Sequence, residues 1–327
     1  KDAVSPSSSP LSPKKKKKHP KIKHLVICGG VTYGFVFYGI LQQLVEYKFI
    51  DMNHIKSIHG TSVGSILAVI LAIKEEWWII EKYFIERPWL EIFDFKLSNV
   101  IKSIKTCGIF DNQCIIKCLR PIFSAHDLDI EKITMKELYD YSGIDIYIYS
   151  VNSYLFEVES FSWKTHPDWR VLDVMYISSS IPFIFQPFRH PVTNHIYIDG
   201  GICMNYPIIP CIKSVIEKGD KLNSILGIQL NLNGGCSQIL NESIEQNMNL
   251  LEYMYFIFSK IIWKLTDTDY CYDTCLDKTR PYEIFMEMTK HGTDVMSILK
   301  YKEMRKDFVD YGKKIAKDFL ETAQKTL

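Results

Sequence analysis

The stretch Ile58-His59-Gly60-Thr61-Ser62-Val63-Gly64-Ser65-Ile66-Leu67 decides how the rest of the chain is read. A short apolar run, Ile55 to Ile58, stops at Gly60, and a helical apolar run begins at Ile66. Between them lies Gly60-Thr61-Ser62-Val63-Gly64, a G-x-S-x-G pentapeptide. Strand, sharp turn and helix form the context in which this pattern makes a nucleophile elbow. The glycines then have a steric reason, because a side chain on either flank of the strained serine would crowd the facing strand or helix. Such a turn lifts the Ser62 hydroxyl above the sheet and leaves backbone N–H groups free at a helix N-terminus. The same five residues also suit a Gly-rich turn that merely opens a helix.

Upstream, His24-Leu25-Val26-Ile27-Cys28 is a compact apolar run without alternation, as expected of a strand covered on both faces. It runs into Gly29-Gly30-Val31-Thr32-Tyr33-Gly34 and then an apolar helix from Phe35 to Tyr47. That order makes a cradle for a phosphate or an oxyanion. The spacing G-G-x-x-x-G is not the G-x-G-x-x-G of a dinucleotide site, and Gly34-Phe35 does not end a Walker loop. An oxyanion hole for acyl transfer remains.

Downstream, the elbow helix runs from Ser65 to Lys74, followed by Trp77-Trp78 and Pro88 to Phe95, apolar residues that suit either a lid or core. Residues 111 to 142 read as helix and turn, with a capping box at Thr134 to Glu137. Asp145 to Val151 is the next strand, rich in β-branched and aromatic residues. A helix over Val171 to Ser178 is closed by Pro182 and Pro187. Ile196-Tyr197-Ile198 then delivers Asp199-Gly200-Gly201, and Ser224 to Leu230 is a late strand. From Gln238 onward the pattern reads as helical, with an apolar helix over Met248 to Leu265 and a charged one over Ser297 to Lys325. Alternating strands and helices over 24–230 predict an α/β fold, a three-layer α/β/α sandwich with a largely parallel central sheet, followed by C-terminal helices. The expected divisions are a disordered basic tail over 1–23, a catalytic core over 24–230 and a helical extension packed on it over 231–327.

With 47% hydrophobic and 24% charged residues the composition is that of a globular protein, and a net charge of +1 speaks against a polycation built for nucleic acid. The local imbalance is Lys14 to Lys18, which suits anionic headgroups, nuclear import or a solvated tail. Nine cysteines without a C-x-x-C, and without His at ligand spacing, predict reduced thiols and no metal or cofactor. No secretory signal or uninterrupted membrane span is visible, so the expected location is cytoplasmic, peripheral to a membrane, or nuclear.

A serine nucleophile needs an oriented base. Asp199, at a strand end before two glycines, is one candidate, although Asp-Gly turns are common. His291, the one late histidine in a loop-like setting, is another and would complete a Ser-acid-His order.

Together the Cys28–Gly34 cradle, Gly60–Gly64, the block Ser179-Ser180-Ile181-Pro182 to Phe185-Gln186-Pro187, and Asp199-Gly200-Gly201 with Asn205 and Pro207 resemble the patatin-like phospholipase family. The order and spacing agree over about residues 24–210. The resemblance implies a Ser62–Asp199 dyad without a catalytic histidine. The oxyanion hole would be the amides of Gly29, Gly30 and Val31, with Gly34, Gly60, Gly64, Gly200 and Gly201 shaping the turns. It implies removal of acyl chains from phospholipids or other glycerolipids at a membrane surface. The family usually has a third glycine and a basic residue where this chain has Val31 and Tyr33. Backbone donors survive that change if φ at position 31 stays negative. The competing readings are an esterase using Ser62 and His291, and a lipid-binding protein that keeps the fold without turnover.

Overall fold

A computed structural model describes residues 21–231, 280–288 and 294–326. Lys14–Lys18, Met248–Leu265 and His291 lie outside the described residues.

The strands are β1 (His24–Ile27), β2 (Ser57–Thr61), β3 (Gly108–Phe110), β4 (Asp145–Asn152), β5 (Glu157–Phe161), β6 (Phe183–Phe185), β7 (Phe188–Arg189), β8 (Ile196–Asp199), β9 (Ile225–Asn231) and β10 (Tyr282–Glu287). The helices are α1 (Gly34–Glu46), α2 (Val63–Ile73), α3 (Trp77–Glu86), α4 (Trp89–Ile92), α5 (Leu97–Thr106), α6 (Gln113–Ser124), α7 (Met135–Ser142), α8 (Val171–Ser178), α9 (Gly201–Met204), α10 (Ile208–Glu217), α11 (Val295–Lys300) and α12 (Lys302–Thr326).

The main sheet has the order β10-β9-β1-β2-β4-β8-β7, with β5 also paired to β4, and a two-stranded sheet joins β3 to β6. From β10 to β4 every neighbour is parallel, whereas β5, β7 and β8 join antiparallel. The parallel-sheet expectation holds, and its reason is visible in β1. All four residues of that strand are buried, because β2 and β9 flank it and helices cover both faces. Helix α2 lies on the face of β2 that carries Gly60, where a Cβ would meet the Gly64 carbonyl at 2.5 Å. His59, one residue earlier, points to the other face and lines a cavity there with Pro210 and Ser214 of α10. The capping box is formed as expected: the Glu137 amide donates to Thr134 Oγ1 at 3.2 Å, and the Thr134 amide to Glu137 Oε2 at 2.8 Å.

Register sets the position of the site. Thr61 of β2 stands opposite Tyr149, and Ser150 opposite Asp199. Adjacent residues of β4 therefore face the ends of β2 and β8, so both strands run out at the same level of the sheet.

Several sequence expectations are corrected. Residues 21–23, assigned to the tail, belong to the fold: Ile22 is buried and the Lys23 amide donates to the Ser224 carbonyl at 2.8 Å. The stretch read as helical from Gln238 contains β10, whose Ile284 and Met286 are buried while Phe285 is exposed, a period of two. The single charged helix over Ser297 to Lys325 is two helices broken at Tyr301, which is extended. The break lets buried Arg305 donate to the carbonyls of Ile298 and Leu299, the end of α11, and to Ile85 and Arg87 at the end of α3. Helix-end carbonyls that lack intrahelical partners are satisfied in this way.

Candidate active site

Ser62 sits between β2 and α2 with φ 53° and ψ −126°, a strained conformation for a residue with a side chain. Three contacts hold it there. Its amide donates to Ser178 Oγ at 2.9 Å, and its carbonyl accepts from the Ser65 amide at 2.8 Å and the Ser65 hydroxyl at 2.6 Å. Ser178 is fixed in turn by donating its hydroxyl to the Tyr149 carbonyl at 2.7 Å. The turn closes because Gly64 lies against β1, where a Cβ would come within 2.3 Å of the Ile27 carbonyl.

Asp199 ends β8, and its amide donates to the Ser180 carbonyl at 2.9 Å. One carboxylate oxygen, Oδ2, accepts the Ser62 hydroxyl at 2.8 Å; the other, Oδ1, accepts the Gly201 amide at 2.6 Å. Gly200 is pressed on the Tyr149 carbonyl, 2.1 Å from where a Cβ would sit, and its own amide donates to the Ser178 carbonyl at 3.2 Å. Ser62 and Asp199 are both buried. Burial pushes the Asp199 carboxyl up to about 7, against the downward pull of the Gly201 amide and the Ser62 hydroxyl. The pair therefore holds a carboxylate near neutrality beside a serine hydroxyl, the arrangement required for proton transfer.

The Gly29–Gly34 loop closes the third side. The Gly29 amide donates to the Asn205 carbonyl at 3.1 Å, and a Cβ at Gly29 would lie 3.1 Å from Ser62 Cβ. This loop and the serine are thus in van der Waals reach. Gly34 packs on Val63, tying the loop to the start of α2. The turn Val31–Tyr33 follows in this loop, closed by the Tyr33 amide donating to the Gly30 carbonyl at 2.8 Å. The condition of a negative φ at position 31 is not met: Val31 has φ +48°, a region that β-branched residues rarely occupy but a glycine enters freely. The valine therefore keeps the backbone path, and with it the amide direction, that a glycine would give the loop.

The structure brings Gly29, Ser62 and Asp199 together, with Gly60, Gly64, Gly200 and Gly201 at the close approaches around them. His291 lies outside the described residues. His59, three residues before Ser62, is bonded to the Tyr149 hydroxyl at 2.7 Å and stacked on Tyr147. Burial lowers it to about 3, so it stays neutral and is turned away from Ser62. Sequence reasoning missed Ser178 and the role of the Ser180 carbonyl. The run Ser178-Ser179-Ser180 before Pro182 was the only signal, and it does not distinguish the three hydroxyls.

The sequence model of a family described as Patatin-like phospholipase matches residues 25–212. A probable lipid hydrolase of Invertebrate iridescent virus 6 is 29% identical over 204 residues, covering 61% of this chain and 66% of the viral protein. A triacylglycerol lipase of Schizosaccharomyces pombe is 29% identical over 203 residues, covering 56% of this chain and 40% of the yeast protein. The chain thus spans from two fifths to just under two thirds of the length of these relatives. Among solved structures, VipD from Legionella pneumophila has a similar fold, with a TM-score of 0.53 at 17% identity, over 93% of this chain and 67% of that one.

Proposed function

The chain belongs to the patatin-like phospholipase family, and from that membership we propose that it is a lipid acyl hydrolase of phospholipase A type, acting on glycerolipid esters from the water side of a membrane. Ser62 and Asp199 form its dyad. The observation that carries the reading is the 2.8 Å hydrogen bond from Ser62 Oγ to Asp199 Oδ2 at a strained strand-to-helix turn.

In the first half-reaction Ser62 Oγ attacks the ester carbonyl carbon while its proton passes to Asp199 Oδ2. The carbonyl oxygen, now an anion, is held by the amides of Gly30 and Val31 and by the field at the start of α2. Gly29, expected from the sequence as a third donor, has its amide engaged by the Asn205 carbonyl and shapes the loop instead. Collapse of this intermediate expels the lysolipid alkoxide, which takes the proton back from Asp199. In the second half, Asp199 accepts a proton from water as it attacks the acyl-serine, and the fatty acid leaves as Ser62 regains its proton. A free Asp, with a pKa of about 3.9, would be a poor base at neutral pH. Burial of Asp199 corrects this, and Gly201 keeps the carboxyl aimed.

Fluorophosphonate labelling tests the reading. An adduct located on Ser62 by mass spectrometry, lost in Ser62→Ala and strongly slowed in Asp199→Asn, is expected. Intact protein that binds lipid but takes no label would leave a lipid-binding role without turnover. Labelling that persists in Asp199→Asn would point to a different base, as in the reading that pairs Ser62 with His291.

A further inference from the structure

Helix α5 (Leu97–Thr106) rests on the fold by one side only. Its half-buried positions are Asn99, Val100, Ser103 and Thr106, and it packs on β3. Ile101 and Ile104, one turn apart, are 60% and 82% exposed among the described residues. Two large aliphatic side chains held in water on the same turn are more than the scattered apolar residues of an ordinary surface. The residues around them are all of one sign. From Phe95 to Phe110 there is no Asp or Glu, and the charges are Lys96, Lys102 and Lys105. Lys96 is engaged by Asp94 at 2.6 Å, whereas no ion pair among the described residues involves Lys102 or Lys105. An exposed apolar edge flanked by free lysines is the pattern of a helix that lies in a lipid interface, its aliphatic side chains below the headgroups and its ammonium groups among the phosphates.

The helix is also close to the candidate site. Its strand β3 pairs with β6, setting Gly108 opposite Phe183, itself 52% exposed. Phe183 is only three positions beyond Ser180, whose carbonyl holds the Asp199 amide. That distance is at most about 11 Å of extended chain.

We propose that α5, continued by Phe183, is the surface that seats this protein on an anionic bilayer. This rests on the acyl-hydrolase reading only for what the seated face presents to the lipid. The charge complementarity selects an anionic membrane over a second copy of the chain, since two such faces would set lysines against lysines.

The test is vesicle co-sedimentation of the full chain carrying Ser62→Ala, so that lipid is not consumed. Phosphatidylcholine vesicles with and without phosphatidylglycerol are compared. Ile101→Asp/Ile104→Asp should weaken binding to both by at least roughly tenfold. Lys102→Gln/Lys105→Gln should weaken binding to the anionic vesicles alone, by roughly 30-fold at low salt. With Ser62 restored, either variant should hydrolyse a short, water-soluble ester within about twofold of the parent, since neither touches the dyad. Unchanged vesicle binding in the aspartate variant would overturn the proposal. So would a fall in melting temperature, which would mean that protein covers the two isoleucines, or a parent dimer that the aspartates split. Absence of soluble-ester hydrolysis in the parent would count against the hydrolase reading and leave the docking result intact.

Discussion

At the scale of single residues, Asp199 carries the sharpest consequences. Its carboxyl is raised to about 7 by burial, so the base form is lost as pH falls below that value. Initial rates of ester hydrolysis should rise about tenfold per pH unit below 7 and level off above it. The same shift bears on stability with the opposite sense. The unfolded chain releases this proton near pH 3.9, so folding pays an increasing cost between about 4 and 7 as an ionised carboxylate is buried. Asp199→Asn keeps an acceptor for the Gly201 amide and removes the charge. Its melting temperature should exceed wild type at pH 8 and approach it near pH 4, while hydrolysis falls at least about a thousandfold. A variant that melts lower than wild type at pH 8 would contradict the burial argument. Val31, at φ +48°, belongs beside it. A β-branched residue there stores on the order of 1 kcal/mol or more. Val31→Gly should therefore raise the melting temperature by about 2–4 °C, and a lower one would show that position 31 is unstrained. The sequence showed the valine where a glycine is usual but not the sign of φ, because that depends on how Gly30 packs between Phe37 and Leu230.

At the scale of elements, the strands that hold the site were legible for a physical reason. A buried parallel strand such as β1 shows Leu25 to Cys28 as a continuous apolar run that stops at Gly29, and β9 is apolar but for Gly227 and Gln229 before it ends at Asn231. Helix α8 was read to its observed limits, Val171–Ser178, because Pro182 and Pro187 stop it. The short strands β3, β6 and β7 were not legible, since two or three residues display no period. Strand β10 was lost within a stretch whose sequence pattern reads as helical, its alternation spanning only six residues. Of the pair Trp77-Trp78, Trp77 packs on Tyr38 at 5.4 Å between ring centroids, in line with the core reading, and Trp78 is exposed. The support that α8 gives the elbow is testable. Ser178→Ala removes the acceptor of the Ser62 amide and leaves that buried donor unpaired, at a cost of about 1–3 kcal/mol. Hydrolysis should fall about ten- to a hundredfold in kcat with little change in KM, because the loss is one of nucleophile position. A change confined to KM would contradict this role.

At the scale of the whole molecule, the C-terminal helix is locked to the first helix of the fold by two glycines. A Cβ at Gly39 of α1 would lie 2.1 Å from the Val309 carbonyl of α12, and one at Gly312 would lie 2.1 Å from the Val36 carbonyl. The two backbones touch where they cross, and nothing in the helical periodicity of residues 302–326 announced it. Gly312→Ala must push the helices apart and should destabilise the protein by about 1–3 kcal/mol in denaturant unfolding. Lys314→Ala, exposed on the same helix, should be neutral and serves as the control. Equal stability of the two variants would mean that α12 is dispensable to the fold. Since α1 also begins at Gly34, which packs on Val63 beside the elbow, the Gly312 variant should lose activity along with stability.

The most direct measurement is the initial rate of fatty-acid release from a phospholipid by wild type, Ser62→Ala and Asp199→Asn at pH 8, each first shown to be folded by circular dichroism. The account predicts release by wild type and losses of at least about a thousandfold in both variants, of similar size, because the hydroxyl and the carboxylate act as one unit. Release at the wild-type rate by either variant would contradict it.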